Sequence, residues 1–398
     1  MKTPTTMKKQ VLLLFSLSLL QFVSFGQIIE QIDTSYKQQI KVLPLPKEGL
    51  LKNIYFISNM RFAFQNDFTE GTHTGSKFRM QEWRPEILGE VFPGVSFRFR
   101  TSLFPNANSS TTDNLKRDID FLFVSVKLSS KVNLTLGKMA AEWGGYEFDH
   151  NPINMFQFND IVNFSDPFLA GVKMDYKAND KHTFSMQVVN ANTRNFNEMY
   201  GSMPGVSAAK FPGAVLAKWR GNFMNGKFQT LYSYNLYTQA EGKVVNMFTL
   251  GNQLKLRKWK IQYDFKFSDE ELDRTGVVSG IIPDDVTPYS ALDARYVEHW
   301  MFLERTISPR LKINTALMVS DAYWNGNPDP RKDNHLRTAW SVVPSIEYNP
   351  NPDLNLRFFC SYIGRFFRYS DYAKSALRAQ DINTSRIQIG FISPLRVF

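Results

Sequence analysis

Short runs in which every second residue is apolar recur along nearly the whole chain, and this period of two restricts the fold more than any other feature. In Lys260 to Ser268, Ile261, Tyr263, Phe265 and Phe267 alternate with Gln262, Asp264, Lys266 and Ser268. A strand built this way has one oily face and one polar face. A soluble sheet can carry the same pattern. Here it repeats between turn-rich gaps behind an export-like leader, which points to an all-β, transmembrane antiparallel barrel with lipid outside and water inside.

The leader is residues 1–26: Lys2, Lys8 and Lys9 precede the apolar stretch from Val11 to Phe25, closed by Gly26. It reads as a signal peptide cleaved before Gln27, because its apolar core is shorter than the ~20 residues of a spanning helix. Residues 27–49 then form a short periplasmic extension, and 50–398 the barrel. No second long apolar segment follows, so a membrane-embedded chain has to cross as a closed barrel.

Composition fits without deciding the matter. A mean hydropathy of -0.30 looks soluble, yet a barrel spends only alternate residues on lipid, and 34 Phe is many for a soluble domain. The single cysteine, Cys360, excludes an intramolecular disulfide framework. The formal charge of +10 falls by three, to +7, when the leader lysines leave. Export argues against nucleic acid as the partner of that charge, leaving the lipid bilayer and small anions.

Turn signals near 92–94, 129–131, 178–181, 225–226, 257–259, 308–310 and 349–353 alternate with longer polar links at 67–76, 105–116, 144–167, 192–210, 239–243, 269–293, 325–335 and 367–383. About seven turns and eight links join roughly sixteen strands, with short turns on the periplasmic side and long loops outside. Parity puts Ile54, Phe56, Met60, Phe62 and Phe64 on lipid, with Val95, Phe97 and Phe99, Leu122, Val124 and Val126, Val172, Met174 and Tyr176, and Ile387, Ile389 and Phe391. This last set is out of step with Phe398, and a bulge near Ser393-Pro394 is expected to restore the phase.

Opposite the lipid positions fall Arg61, Arg79, Arg98, Arg100, Lys127, Lys173, Lys218, Lys255, Lys266, Arg305, Lys312, Arg337, Arg357 and Arg386, against Asp175, Asp264 and Glu347. The lumen is therefore expected to be strongly basic. Arg61, Arg79, Arg98, Arg100, Lys266, Arg305, Arg357 and Arg386 are the candidate anion-attracting residues of the pore. Arg98 and Arg100 form the clearest pair, about 7 Å apart on one face of a strand. Lys266, on a wet face, is expected to exchange for Gln at little cost.

Asp118-Ile119-Asp120-Phe121 through Val132-Asn133-Leu134-Thr135-Leu136-Gly137-Lys138, the long loop with Phe156 and Phe158, and Ala170-Gly171-Val172-Lys173-Met174 together resemble the phosphate-selective porin O and P family. The resemblance covers 97–190. It implies a sixteen-stranded, often trimeric channel for small anions, with the loop at 144–167 folded into the lumen. That loop carries Glu147, Asp149, Asp160 and Asp166 and no Lys or Arg, unlike a purely cationic constriction.

Catalysis finds no support. The five histidines are scattered without metal-ligand spacing, and there is no Gly-x-Ser-x-Gly elbow. The stretch 325–333 lacks the spacing of a calcium loop. The reading is an outer-membrane porin of a Gram-negative bacterium, without cofactor or metal, passing small hydrophilic solutes passively with a preference for anions, phosphate among them. A homotrimer is the expected assembly. The rival reading is a non-conducting barrel serving secretion, adhesion or a surface partner.

Overall fold

The computed structural model describes residues 53–103 and 118–397. The expected leader, the extension at 27–49, the link at 105–116 and Phe398 lie outside the described residues. The chain forms β1 (Ile54–Thr69), β2 (Thr72–Phe92), β3 (Val95–Thr101), β4 (Ile119–Lys127), β5 (Val132–Ala140), β6 (Phe168–Asn179), β7 (His182–Asn190), β8 (Ala208–Phe223), β9 (Phe228–Ala240), β10 (Lys243–Lys255), β11 (Trp259–Leu272), β12 (Leu292–Ser308), β13 (Leu311–Trp324), β14 (His335–Asn351), β15 (Leu356–Tyr369) and β16 (Thr384–Arg396). Each strand pairs antiparallel with its neighbours in sequence, and β1 pairs with β16 to close the barrel. No described helix is long and apolar enough to cross a membrane. Closure pairs every strand edge, as hydrocarbon demands.

Alternation sets the two faces. In β1, Ile57, Asn59, Arg61, Ala63 and Gln65 are buried inside the barrel, while Phe62 looks outward and stacks on Phe78 with ring centroids 6.0 Å apart. Leu122, Val124, Val172, Met174, Ile387 and Ile389 stand exposed on the outer wall, on the expected parity. One bulge matters for the lumen. The register of β1 with β2 shifts between Arg61–Glu82 and Phe62–Met80, leaving Gln81 extra. The shift exchanges the faces of β2 along its length, so that Arg79 and, beyond the bulge, Glu82, Arg84 and Glu86 all point inward.

Four expectations are corrected. The links at 67–76 and 239–243 are tight hairpin turns: β1 and β2 run up to Glu70-Gly71, with φ of 48° and 76°, and β9 and β10 meet at Glu241-Gly242. No bulge interrupts β16 against β1, whose register is unbroken from Ile57–Arg396 to Thr69–Thr384. Arg305 is not a lumen residue. It lies on the outer face between Trp259 and Ile313, with its guanidinium 5.1 Å from the Trp259 ring centroid. The alternation of β12 misleads because its inward residues are aromatic and pack on inner segments, not on lipid: Trp300 and Phe302 on the inner loop, Tyr296 on the link 273–291.

Candidate functional site: the lumen and its inner loop

The segment between β5 and β6 turns into the barrel and fills part of it. Gly144 and Gly145 make the turn at φ of 70° and 77°, and Gly251 in the wall has no side chain because a Cβ there would stand 2.9 Å from the Gly145 Cα. Two short helices, Tyr146–Asp149 and Asp160–Phe164, carry the loop across the lumen. Its backbone is tied to the wall by side chains. Asp264 accepts from the Tyr146 and Glu147 amides at 2.8 Å each, and Arg61 donates to the carbonyls of Ile153 at 3.0 Å and Met155 at 2.6 Å. Its apolar side, Tyr146, Met155, Phe156 and Phe158, packs on Leu231, Trp300, Phe302, Met318 and Val343 of β9 and β12–β14.

The loop carboxylates are clamps. Glu147 and Asp160 are fully buried; Glu147 pairs with Lys266, and Asp160 receives both Arg337 and Arg365. Asp166 caps the Thr193 amide at 3.0 Å and pairs with Arg194. Of the four, Asp149 alone stays largely exposed, bonded to Arg220 at 2.9 Å. Two further links, 273–291 and 370–383, pack with the loop and the inner wall in one apolar cluster that includes Val278, Ile282 and Leu377, while Tyr200 and Met203 of the link 192–207 join Ala240 and Leu272 in another.

A cavity of about 840 Å³ lies between the loop and the wall of β2–β6, lined also by Lys218 of β8 and Leu231 of β9. Its lining holds five Lys or Arg and seven Asp or Glu, so this cavity is not strongly basic. Glu82, Glu86, Asp120 and Glu142 were missed: two follow the bulge, one opens a strand and one lies in the loop. The charges are layered, however. Glu86 holds Arg98 through Nε at 2.5 Å, and the side chains are 1% and 34% exposed. Asp120 holds Arg84 at 2.6 Å and Arg100 at 2.8 Å, with exposures of 4%, 16% and 5%. Glu142, 7% exposed, sits between Lys173 and Lys218, each 17% exposed. In these three clusters Glu86, Asp120 and Glu142 lie deeper than most of the cations they hold, whereas Glu82 matches Arg84 at 16% and Asp149 is 42% exposed. His150, in the loop and outside the spanning strands, is held down to about 4, chiefly by burial and also by Lys260, so it is neutral near pH 7.

The other expected pore residues are dispersed. Arg357 bonds Glu347 at 2.8 Å and the loop residue Asn154 at 2.5 Å, and Arg386 bonds Asp67 at 2.6 Å. Arg79 faces inward opposite Ala63, exposed and without an ion pair to any described residue. Arg61 and Lys266 serve the loop, not the passage.

Residues 58–298 match the family model for phosphate-selective porins O and P, more than half of the chain. No curated protein matches it in sequence. Among solved structures it is similar to the outer-membrane channel DcaP of Acinetobacter baumannii, at 12% identity and a TM-score of 0.60, covering 85% of this chain and 96% of that one. OmpF of Salmonella typhi, solved as a complex with daunomycin, matches at 10% identity and a TM-score of 0.54, covering 85% and 97%. OmpT of Vibrio cholerae in its trimer form matches at 11% and 0.51, covering 85% and 98%. At these identities the structures speak for the fold alone, and it is the fold of outer-membrane channels. With a family match across most of the barrel and a closed sixteen-stranded wall around an inward loop, the chain belongs to the phosphate-selective porin O and P family and is an outer-membrane channel of a Gram-negative bacterium.

Proposed function

We propose that this channel passes small hydrophilic solutes passively and favours anions modestly, without catalysis. The layering of charge along the open side supports the reading. Arg98 is 34% exposed and its partner Glu86 is 1% exposed, so a passing ion meets the cation first. A fixed charge in a confined, partly desolvated passage acts more strongly than in bulk water. The volume left beside the loop speaks for conduction over a closed scaffold. The trimer form of the similar OmpT supports a homotrimer for this chain too, which crosslinking in native membranes tests.

The test is the reversal potential in a salt gradient across planar bilayers. Wild type is expected to prefer chloride, and Arg98→Gln to lose much of that preference at low salt. The difference should fade at 1 M salt, where screening acts over ~3 Å. A wild type that favours cations, or an Arg98→Gln channel indistinguishable from it at low salt, rejects the reading. Arg100 is unsuited to the same substitution: it is 5% exposed, and its loss would leave the buried Asp120 with less counter-charge and compromise folding.

A further inference from the structure

We infer that the open side of the lumen holds a binding site for a small aromatic monocarboxylate, formed by Arg98 and the phenylalanines around it; the inference rests on the anion reading above and names its solute. Phe121 of β4, Phe168 of β6 and Phe148 of the inner loop form a continuous aromatic row on the cavity wall. Phe121 and Phe168 meet edge to face at 5.3 Å and 87°, and Phe148 lies 6.3 Å from Phe168. The Arg98 and Arg100 guanidiniums sit 4.3 Å and 4.1 Å from the Phe121 ring centroid. Phe158 of the loop lines the same cavity.

Two features select the ligand. Arg98 spends only Nε on Glu86, and its terminal nitrogens bond no described residue, leaving a planar fork of donors on the cavity wall. That fork matches a carboxylate. Around it, Arg84, Arg98 and Arg100 are balanced by Glu82, Glu86 and Asp120, so the wall offers little net field to a multiply charged anion such as phosphate. A singly charged head on an aromatic body loses nothing by that balance. It gains ring contacts that a purely hydrophilic anion does not. The balance of acids and the phenylalanine row point to the same solute independently.

The experiment uses the purified channel in planar bilayers, with benzoate, acetate and inorganic phosphate each added against a chloride current. Benzoate is expected to reduce the current at a concentration about 2- to 10-fold lower than acetate, the range that aromatic contact supplies. Phosphate should be weaker than benzoate. Phe121→Leu and Phe158→Leu should each bring the benzoate-to-acetate ratio toward one. The ratio is read within each variant, so a change in overall conductance does not disturb it, and heat-modifiable gel migration reports that each barrel is folded. Equal block by benzoate and acetate in the wild type, stronger block by phosphate, or an unchanged ratio in both variants overturns the proposal. An anion-selective channel without benzoate preference defeats this proposal alone. A cation-selective channel defeats the anion reading with it.

Discussion

Lys266 shows how far a residue's surroundings can depart from its place in the alternation. It points into the lumen, as parity predicts, but there it lies 1% exposed between Glu147 and Glu298, both fully buried. Glu298 also accepts from the Ile161 amide at 2.7 Å, so this lysine helps fix the inner loop. Exchange for Gln is therefore not neutral. Lys266→Gln leaves two carboxylates buried without their counter-charge and should cost on the order of 3 to 5 kcal/mol. On the other face of the same strand, Phe265→Arg puts a charge into lipid at a cost of about 2 to 4 kcal/mol. Reversible urea unfolding in lipid vesicles measures both. A Lys266→Gln variant as stable as wild type would mean that the ion cluster contributes nothing.

At the scale of elements, the inner loop is the part whose position depends on many weak ties at once. Arg61 holds its middle, Glu147 one end, and Asp160 bonds Arg337 and Arg365 near the other. Asp160→Asn removes the charge that draws two arginines together and leaves them buried near each other. The loop end should detach from β14 and β15, and single-channel recordings should show a larger and noisier conductance. An unchanged trace would show that the apolar contacts of Met155, Phe156 and Phe158 hold the loop by themselves.

For the whole molecule, closure of β1 on β16 with short turns at one end fixes which segments share a side. Asp284, exposed in the 273–291 link, lies at the end opposite the turn around Asn355. In a Cys360→Ser background, Asp284→Cys should react with an impermeant maleimide on intact cells, and Asn355→Cys only after the outer membrane is opened. Labelling of Asn355→Cys on intact cells would reverse the orientation.

The period of two, the turn signals and the long loop were legible along the chain because each is a local property, set within a strand or a turn. They gave the sixteen strands, the faces of nearly all of them, and a long loop at 144–167, whose place inside the barrel only the family resemblance implied. The charge of the passage was not legible. Its pairs join residues far apart, Lys266 with Glu147 across 119 positions and Arg337 with Asp160 across 177, and only the closed barrel brings them together. The same holds for β12, where Tyr296, Trp300 and Phe302 look like a lipid face until the inner segments they pack against are in place. Alternation says that a strand has two faces. What each face meets is decided by the fold around it, since an apolar side chain is stabilised equally by leaving water for lipid or for protein.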